Sequence, residues 1–148
     1  MAWLAYVMAI LMLLTVSVSH QQYNRTHKMN DAAYAIDTAR NFGIYSSKAS
    51  VAFALNPAFN GVIPVGSLNL PTWYRPQPGL AAFANAGHLF VYQAQPNAVT
   101  GGRVLKQIAS TGAVVGMCIS GTIYSTANVA LMVAPVGMPN LAVVMIVV

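Results

Sequence analysis

From Ala2 to Ser19 (AWLAYVMAILMLLTVSVS) the chain is uncharged and almost wholly apolar, and polar residues begin abruptly at His20. Eighteen helical residues rise about 27 Å, enough for a hydrocarbon core of roughly 30 Å once flanking groups help. Trp3 and Tyr6 stand near one end of the run and Tyr23 near the other, where interfacial aromatics tend to lie. The pattern predicts a transmembrane anchor with its flank over residues 1–23, and Ala2, Ala5 and Ala9 give it a small-residue face for packing against another helix. A cleaved secretory signal is the alternative. Ser17-Val18-Ser19 suits cleavage, but Met1–Leu4 lacks the basic residue that usually precedes such a segment.

Beyond the polar stretch His20–Lys28, Asn30 offers a helix N-cap with Asp31 in the first turn. Ile36, Ala39, Phe42, Ala49, Ala52 and Phe53 then recur at near-helical spacing, with Asp37, Arg40, Asn41 and Lys48 between them. This predicts an amphipathic helix over residues 30–54, weakest at Gly43 and ended by Asn56-Pro57. Residues 56–80 carry so many prolines and glycines that few regular elements are expected there.

The C-terminal half alternates β-branched runs with breakers. Strands are predicted at His88–Gln93, Ala113–Ile119, Thr122–Ser125, Leu131–Ala134 and Leu141–Val148, with a short helix over Gly101–Ser110. Leu141–Val148 (LAVVMIVV) is apolar at every position, which predicts a central strand covered on both faces. The fold class is therefore α+β: a transmembrane helix, an amphipathic helix, then a small, mostly antiparallel sheet with a short helix. Residues 24–148 form one soluble domain in this reading. A polytopic alternative rests on the uncharged runs Ile108–Tyr124 and Ala127–Val148 and on Gly112-x-x-x-Gly116. Pro135, Gly137 and Pro139 split the second run, which counts against it.

Composition narrows the chemistry. Of 148 residues, 57 % are hydrophobic and 6 % charged; seven Lys and Arg face two acids, Asp31 and Asp37. Six positions apart on a helix, those two carboxylates point about 120° away from each other, so no acid/base pair is formed. Cages for Ca²⁺ or Mg²⁺ lack oxygen ligands. His20, His27 and His88 never stand at i, i+4, which leaves a helical zinc site unsupported. Phosphate-binding loops and nucleophile elbows are absent from the sequence. A hydrolase would have to use Cys118 with His88, the only plausible base in the body of the chain. The net charge of +5 is scattered, unlike the concentrated face of a nucleic-acid binder. No catalytic, cofactor-binding or metal-binding residue is assigned, no cofactor or small-molecule substrate is expected, and the chain is read as a non-enzyme.

One segment remains distinctive. Leu70-Pro71-Thr72-Trp73-Tyr74-Arg75-Pro76 packs two large aromatics and a guanidinium into neighbouring positions, the residue types that dominate protein–protein hot spots. Trp73, Tyr74 and Arg75 are the candidate partner contact; the same types also pin a long loop to its own domain.

The order of an apolar N-terminal run, a helix, LPTWYRP, GHLFVYQ and a Val-rich C-terminal half resembles the PilM family of thin-pilus (type IVb-like) operons on conjugative plasmids and in related bacteria. That family is distinct from the actin-like protein of the same name. The resemblance implies a non-catalytic inner-membrane scaffold or basal-body component of a pilus assembly apparatus. Its implied partners are the membrane and other pilus-assembly proteins, with homo-oligomerisation left open. A pilin subunit is not expected: the chain has no basic leader, no glycine before Gly43 and no Glu. A place at the pilus base implies a single-pass protein with a periplasmic domain. The positive-inside rule points the other way, since Arg25, Lys28, Arg40 and Lys48 all follow the apolar run.

Overall fold

The computed structural model describes residues 2–95, 97–110 and 113–147, with the backbone alone for residues 2–11, 13, 14, 18, 20, 24 and 27. Helix α1 spans Ala2–Leu55. It runs through Asn30, where a new helix start was expected. The physical reason lies in the preceding residues: a cap forms where the chain enters a helix, and no proline or glycine interrupts the sequence before Gly43. The C-terminal end falls where Asn56-Pro57 requires. By compactness the chain divides into Met1–Tyr34 and Ala35–Val148.

Among the described residues, no helix is long and apolar enough to cross a membrane. The expected single-pass anchor at residues 1–23, and with it the inner-membrane placement and periplasmic domain, is corrected by this finding. Thr15, Ser17 and Ser19 interrupt the run before His20, so the uninterrupted apolar stretch Ala2–Leu14 rises only about 20 Å. The side chains of Ala2, Ala5 and Ala9 lie outside the described residues. The polytopic alternative is corrected too, because its two C-terminal spans are β-structure.

After α1 come β1 (Gly61–Ile63), a 3-10 turn at Val65–Ser67, β2 (Leu80–Asn85), β3 (His88–Ala94), α2 (Ala98–Ala109), β4 (Val114–Ile119), β5 (Thr122–Ser125), β6 (Ala130–Val133) and β7 (Ala142–Val147). The seven strands form one antiparallel sheet in the order β1-β2-β3-β7-β4-β5-β6. The turn-rich region thus holds β1, and β2 follows it; the small residues of LAAFAN give β2 a weak strand signal. Two-residue turns, Ala86-Gly87 and Ser120-Gly121, close β2–β3 and β4–β5 with all four residues at positive φ. This is the turn whose twist matches paired strands, and glycine at its second position makes it accessible.

Strand β7 lies between β3 and β4, five of its six residues buried, as its unbroken apolar run requires. On one face of the sheet, Leu89, Val91, Val143 and Met145 share a core with Phe42, Tyr45 and Ala49 of α1 and Val104, Leu105 and Ile108 of α2. Asn97 caps α2 by accepting the Thr100 N–H at 2.8 Å. On the other face, Phe90, Cys118, Ile123, Ala142, Val144 and Ile146 form a second core, covered in part by Ala134 and Met138. That covering connection is held down by Ala134 N–H to Gly121 O at 2.9 Å and Leu141 N–H to Cys118 O at 2.8 Å.

The stripe that α1 buries is Ala35, Thr38, Phe42, Tyr45 and Ala49, alternating three and four positions. Ile36, expected on the buried face, is 51 % exposed. Thr38 and Tyr45 had not been read as core because their polar atoms hide them in a hydropathy pattern.

Candidate functional site

The LPTWYRP segment lies in the loop between the 3-10 turn and β2, and Tyr74 fixes it to α1. Its side chain is buried, and its hydroxyl lies 2.6 Å from Asn41 Oδ1 and 2.9 Å from the Asn41 carbonyl, both acceptors. The Gln77 N–H also donates to Asn41 Oδ1, at 3.3 Å, and Gln77 Nε2 donates to Asp37 Oδ2 at 2.9 Å. From the sheet, Gln93 Nε2 donates to Gln77 Oε1 at 3.3 Å and to Pro78 O at 3.2 Å. The loop is therefore tied on one side to the Asp37/Asn41 face of α1 and on the other to β3. In the sequence Asp37 and Asn41 simply fall between the apolar positions of the helix, and no spacing signal joins them to Gln77 and Gln93.

Against that frame Trp73 points outward. It is 72 % exposed, its ring meeting Tyr74 edge-on with centroids 6.1 Å apart and planes at 84°. Arg75 is also exposed, and its Nη1 donates to the Thr72 carbonyl at 3.2 Å and the Tyr74 carbonyl at 3.3 Å. The three neighbours thus divide: Tyr74 turns into the protein, while Trp73 and Arg75 reach solvent. A depression of about 360 Å³ lined by Val65, Asn69, Leu70, Thr72 and Arg75 lies in the same loop. A second groove, about 330 Å³, runs between the end of α1 and β1, lined by Ala52, Phe53, Leu55, Phe59 and Ile63.

Burial weakens the acidity of two phenols here. It pushes Tyr74 up to about 12, with a smaller contribution from Tyr45. Tyr45 is raised as well, by burial first and then by Tyr92. In the unfolded chain a phenol loses its proton near pH 10. Between about pH 10 and pH 12 the folded state therefore holds protons that the unfolded state has released, and stability falls as pH rises. Denaturant unfolding is expected to lose on the order of 1 kcal/mol per pH unit from Tyr74 in that window, with little pH dependence from this group below it. The slope is expected to be shallower in Tyr74→Phe, and an unchanged slope would show that Tyr74 is not one of the groups responsible.

The Cys118/His88 pair is kept apart by register. Cys118 is wholly buried in the second core, on the row through Ala142 and Ala94, whereas His88 begins β3 at the opposite end. Six residues of strand alone separate them by roughly 20 Å, far beyond the reach of a thiol and its base. Among the described residues no group of three or more His, Cys, Asp or Glu is placed to hold a metal ion.

These features define a small α+β protein: helices packed on an antiparallel sheet and a braced loop that displays an indole and a guanidinium. The chain belongs to the PilM family, which matches residues 8–146. A crystal structure of a PilM protein from Escherichia coli B7A shares the fold with a TM-score of 0.59 at 17 % identity, covering 78 % of this chain and 92 % of that one. A PilM protein from Pseudomonas aeruginosa 2192 is 30 % identical over 75 % of this chain and 92 % of its own, with a TM-score of 0.42. Comparison with curated protein sequences finds no match.

Proposed function

We propose that this chain is a non-catalytic scaffold of a type IV-like (thin) pilus assembly apparatus, and that it holds another pilus-assembly protein through Trp73 and Arg75. Membership of a family of pilus-operon proteins supports the setting. The observation that carries the contact is Trp73, 72 % exposed on a loop whose neighbours are tied to α1 and β3. A large aromatic left in water on a flexible loop would lose ordering entropy on binding; on a braced loop that cost is largely met in advance.

Trp73→Ala is expected to abolish piliation in a strain dependent on this protein, while the purified variant keeps its stability to within about 0.5 kcal/mol, as exposed positions do. Wild-type piliation by a stably expressed Trp73→Ala protein would sink the contact role. Loss of folding would instead assign Trp73 to holding the loop in place.

A further inference from the structure

The guanidinium of Arg75 is settled on one side and open on the other. Both of its hydrogen bonds, to the Thr72 and Tyr74 carbonyls, leave from Nη1. Nε and Nη2 have no hydrogen-bond partner among the described residues. Those two nitrogens form an edge whose parallel N–H groups match the two oxygens of one carboxylate. Because Nη1 is already bonded to its own loop, the side chain has less rotamer freedom to lose when that edge is engaged. The surroundings carry no competing acid. Arg75 shares the depression of about 360 Å³ with Val65, Leu70 and Pro71, and no acidic side chain lines it among the described residues. Between Lys48 and Arg103 it is the only Lys, Arg, Asp or Glu in the sequence. A second cation, Arg40, is exposed on α1 and immediately precedes Asn41, the residue that accepts the Tyr74 hydroxyl. Asp37, on the same helix, accepts from Gln77 Nε2 at 2.9 Å.

We infer that this surface takes an acidic segment of a partner protein. One Asp or Glu carboxylate of that segment seats in the depression and accepts from Nε and Nη2 of Arg75, while a neighbouring apolar side chain packs on the Trp73 ring. The inference rests on the reading of Trp73 and Arg75 as a partner contact and adds the chemistry that the partner brings. Charge complementarity selects this occupant. A second copy of the chain is a poor source of the carboxylate: it has two acidic side chains in 148 residues, and Asp37 is already bonded to Gln77. A nucleic acid is held through many phosphates at once, whereas this loop brings a single cation and the others are scattered along the chain. A single carboxylate needs only one planar fork.

The test uses the full, isotopically labelled chain and two pentapeptides, EELEE and QQLQQ, blocked at both ends so that only side chains carry charge. In an NMR titration EELEE is expected to shift the Trp73 indole N–H and the Arg75 Nε–H together and to saturate, while QQLQQ leaves both in place. Arg75→Gln should weaken binding of EELEE by about tenfold or more. Arg75→Lys keeps the charge without the fork and should weaken it nearly as much. The inference is overturned if EELEE shifts neither resonance, if QQLQQ shifts them equally, or if Arg75→Lys binds as wild type does. It is also overturned if oligothymidylate or phosphatidylglycerol vesicles shift the pair more strongly than EELEE, which would make the surface a phosphate site. Piliation separates this inference from the reading beneath it. Loss in Trp73→Ala with wild-type piliation in Arg75→Gln would keep the contact and remove the acidic partner; wild-type piliation in both would remove the contact itself.

Discussion

Replacing Phe42 by alanine is expected to cost about 3–5 kcal/mol, a large fraction of what holds a domain of this size together. Phe42 is fully buried in the core between α1 and the sheet, in the stripe that also holds Ala35, Thr38, Tyr45 and Ala49. Several of its neighbours in that core are small, with Ala49, Ala82 and Ala84 all wholly buried. Small side chains on fixed backbones cannot swing in to fill the space of a lost ring, so the cavity term adds to the transfer term. Chemical denaturation of Phe42→Ala should show a lowered midpoint at unchanged slope. Ile36→Ala, six positions earlier and half exposed, should move it little. Equal effects at the two positions would mean that the helix face has been assigned wrongly.

Gly116→Ala is expected to be nearly as damaging, about 2–3 kcal/mol, although it adds a single methyl group. Gly116 lies in β4 opposite Ser125 of β5, and a Cβ there would come within 2.5 Å of Ile123 Cγ2 and 2.6 Å of the Tyr124 carbonyl oxygen. The second contact is with backbone, so relief requires β4 and β5 to separate, which disturbs the ladder on that side of β7. Gly101 in α2 makes the contrast. An added Cβ there would meet Met117 Cε at 2.9 Å, the free end of a flexible side chain, and alanine is the better helix former. Thermal unfolding of the two variants side by side should show a much larger fall for Gly116→Ala. If Gly101→Ala falls as far, the close approach of β4 to β5 is not what makes glycine necessary at 116.

The regular elements were legible where pattern and punctuation agreed. Ser120-Gly121 between two β-branched runs specified a hairpin, and the end of α1 was fixed by Pro57. The all-apolar LAVVMIVV specified a central strand. Where a pattern could be satisfied in two ways, the reading went astray. Asn30-Asp31 can start a helix or sit inside one, and only the conformation of the residues before it decides. Apolar residues 2–14 can belong to an anchor or to a long helix, and the difference rests on how much farther the apolar character must extend. The candidate site was legible as composition, since LPTWYRP is conspicuous, but not as geometry. That Tyr74 faces inward and Trp73 outward follows from a hydrogen bond to Asn41, thirty-three positions away, and local pattern does not encode such pairings.

The position of β7 has a consequence for how the chain can assemble. Among the described residues, strands β1–β3 and β4–β6 do not pair with each other; β7, which follows all six in sequence, joins them by bonding to β3 on one side and β4 on the other. While the protein is being synthesised, two half-sheets therefore emerge in turn, each with an unpaired edge where β7 will go. The cooperative sheet cannot form until β7 has left the ribosome. Contacts that span so much sequence make for slow closure, and through that interval the nascent chain displays apolar β-edges to whatever is nearby. The strand that completes the sheet thus also sets the period during which the protein is most vulnerable to misassembly.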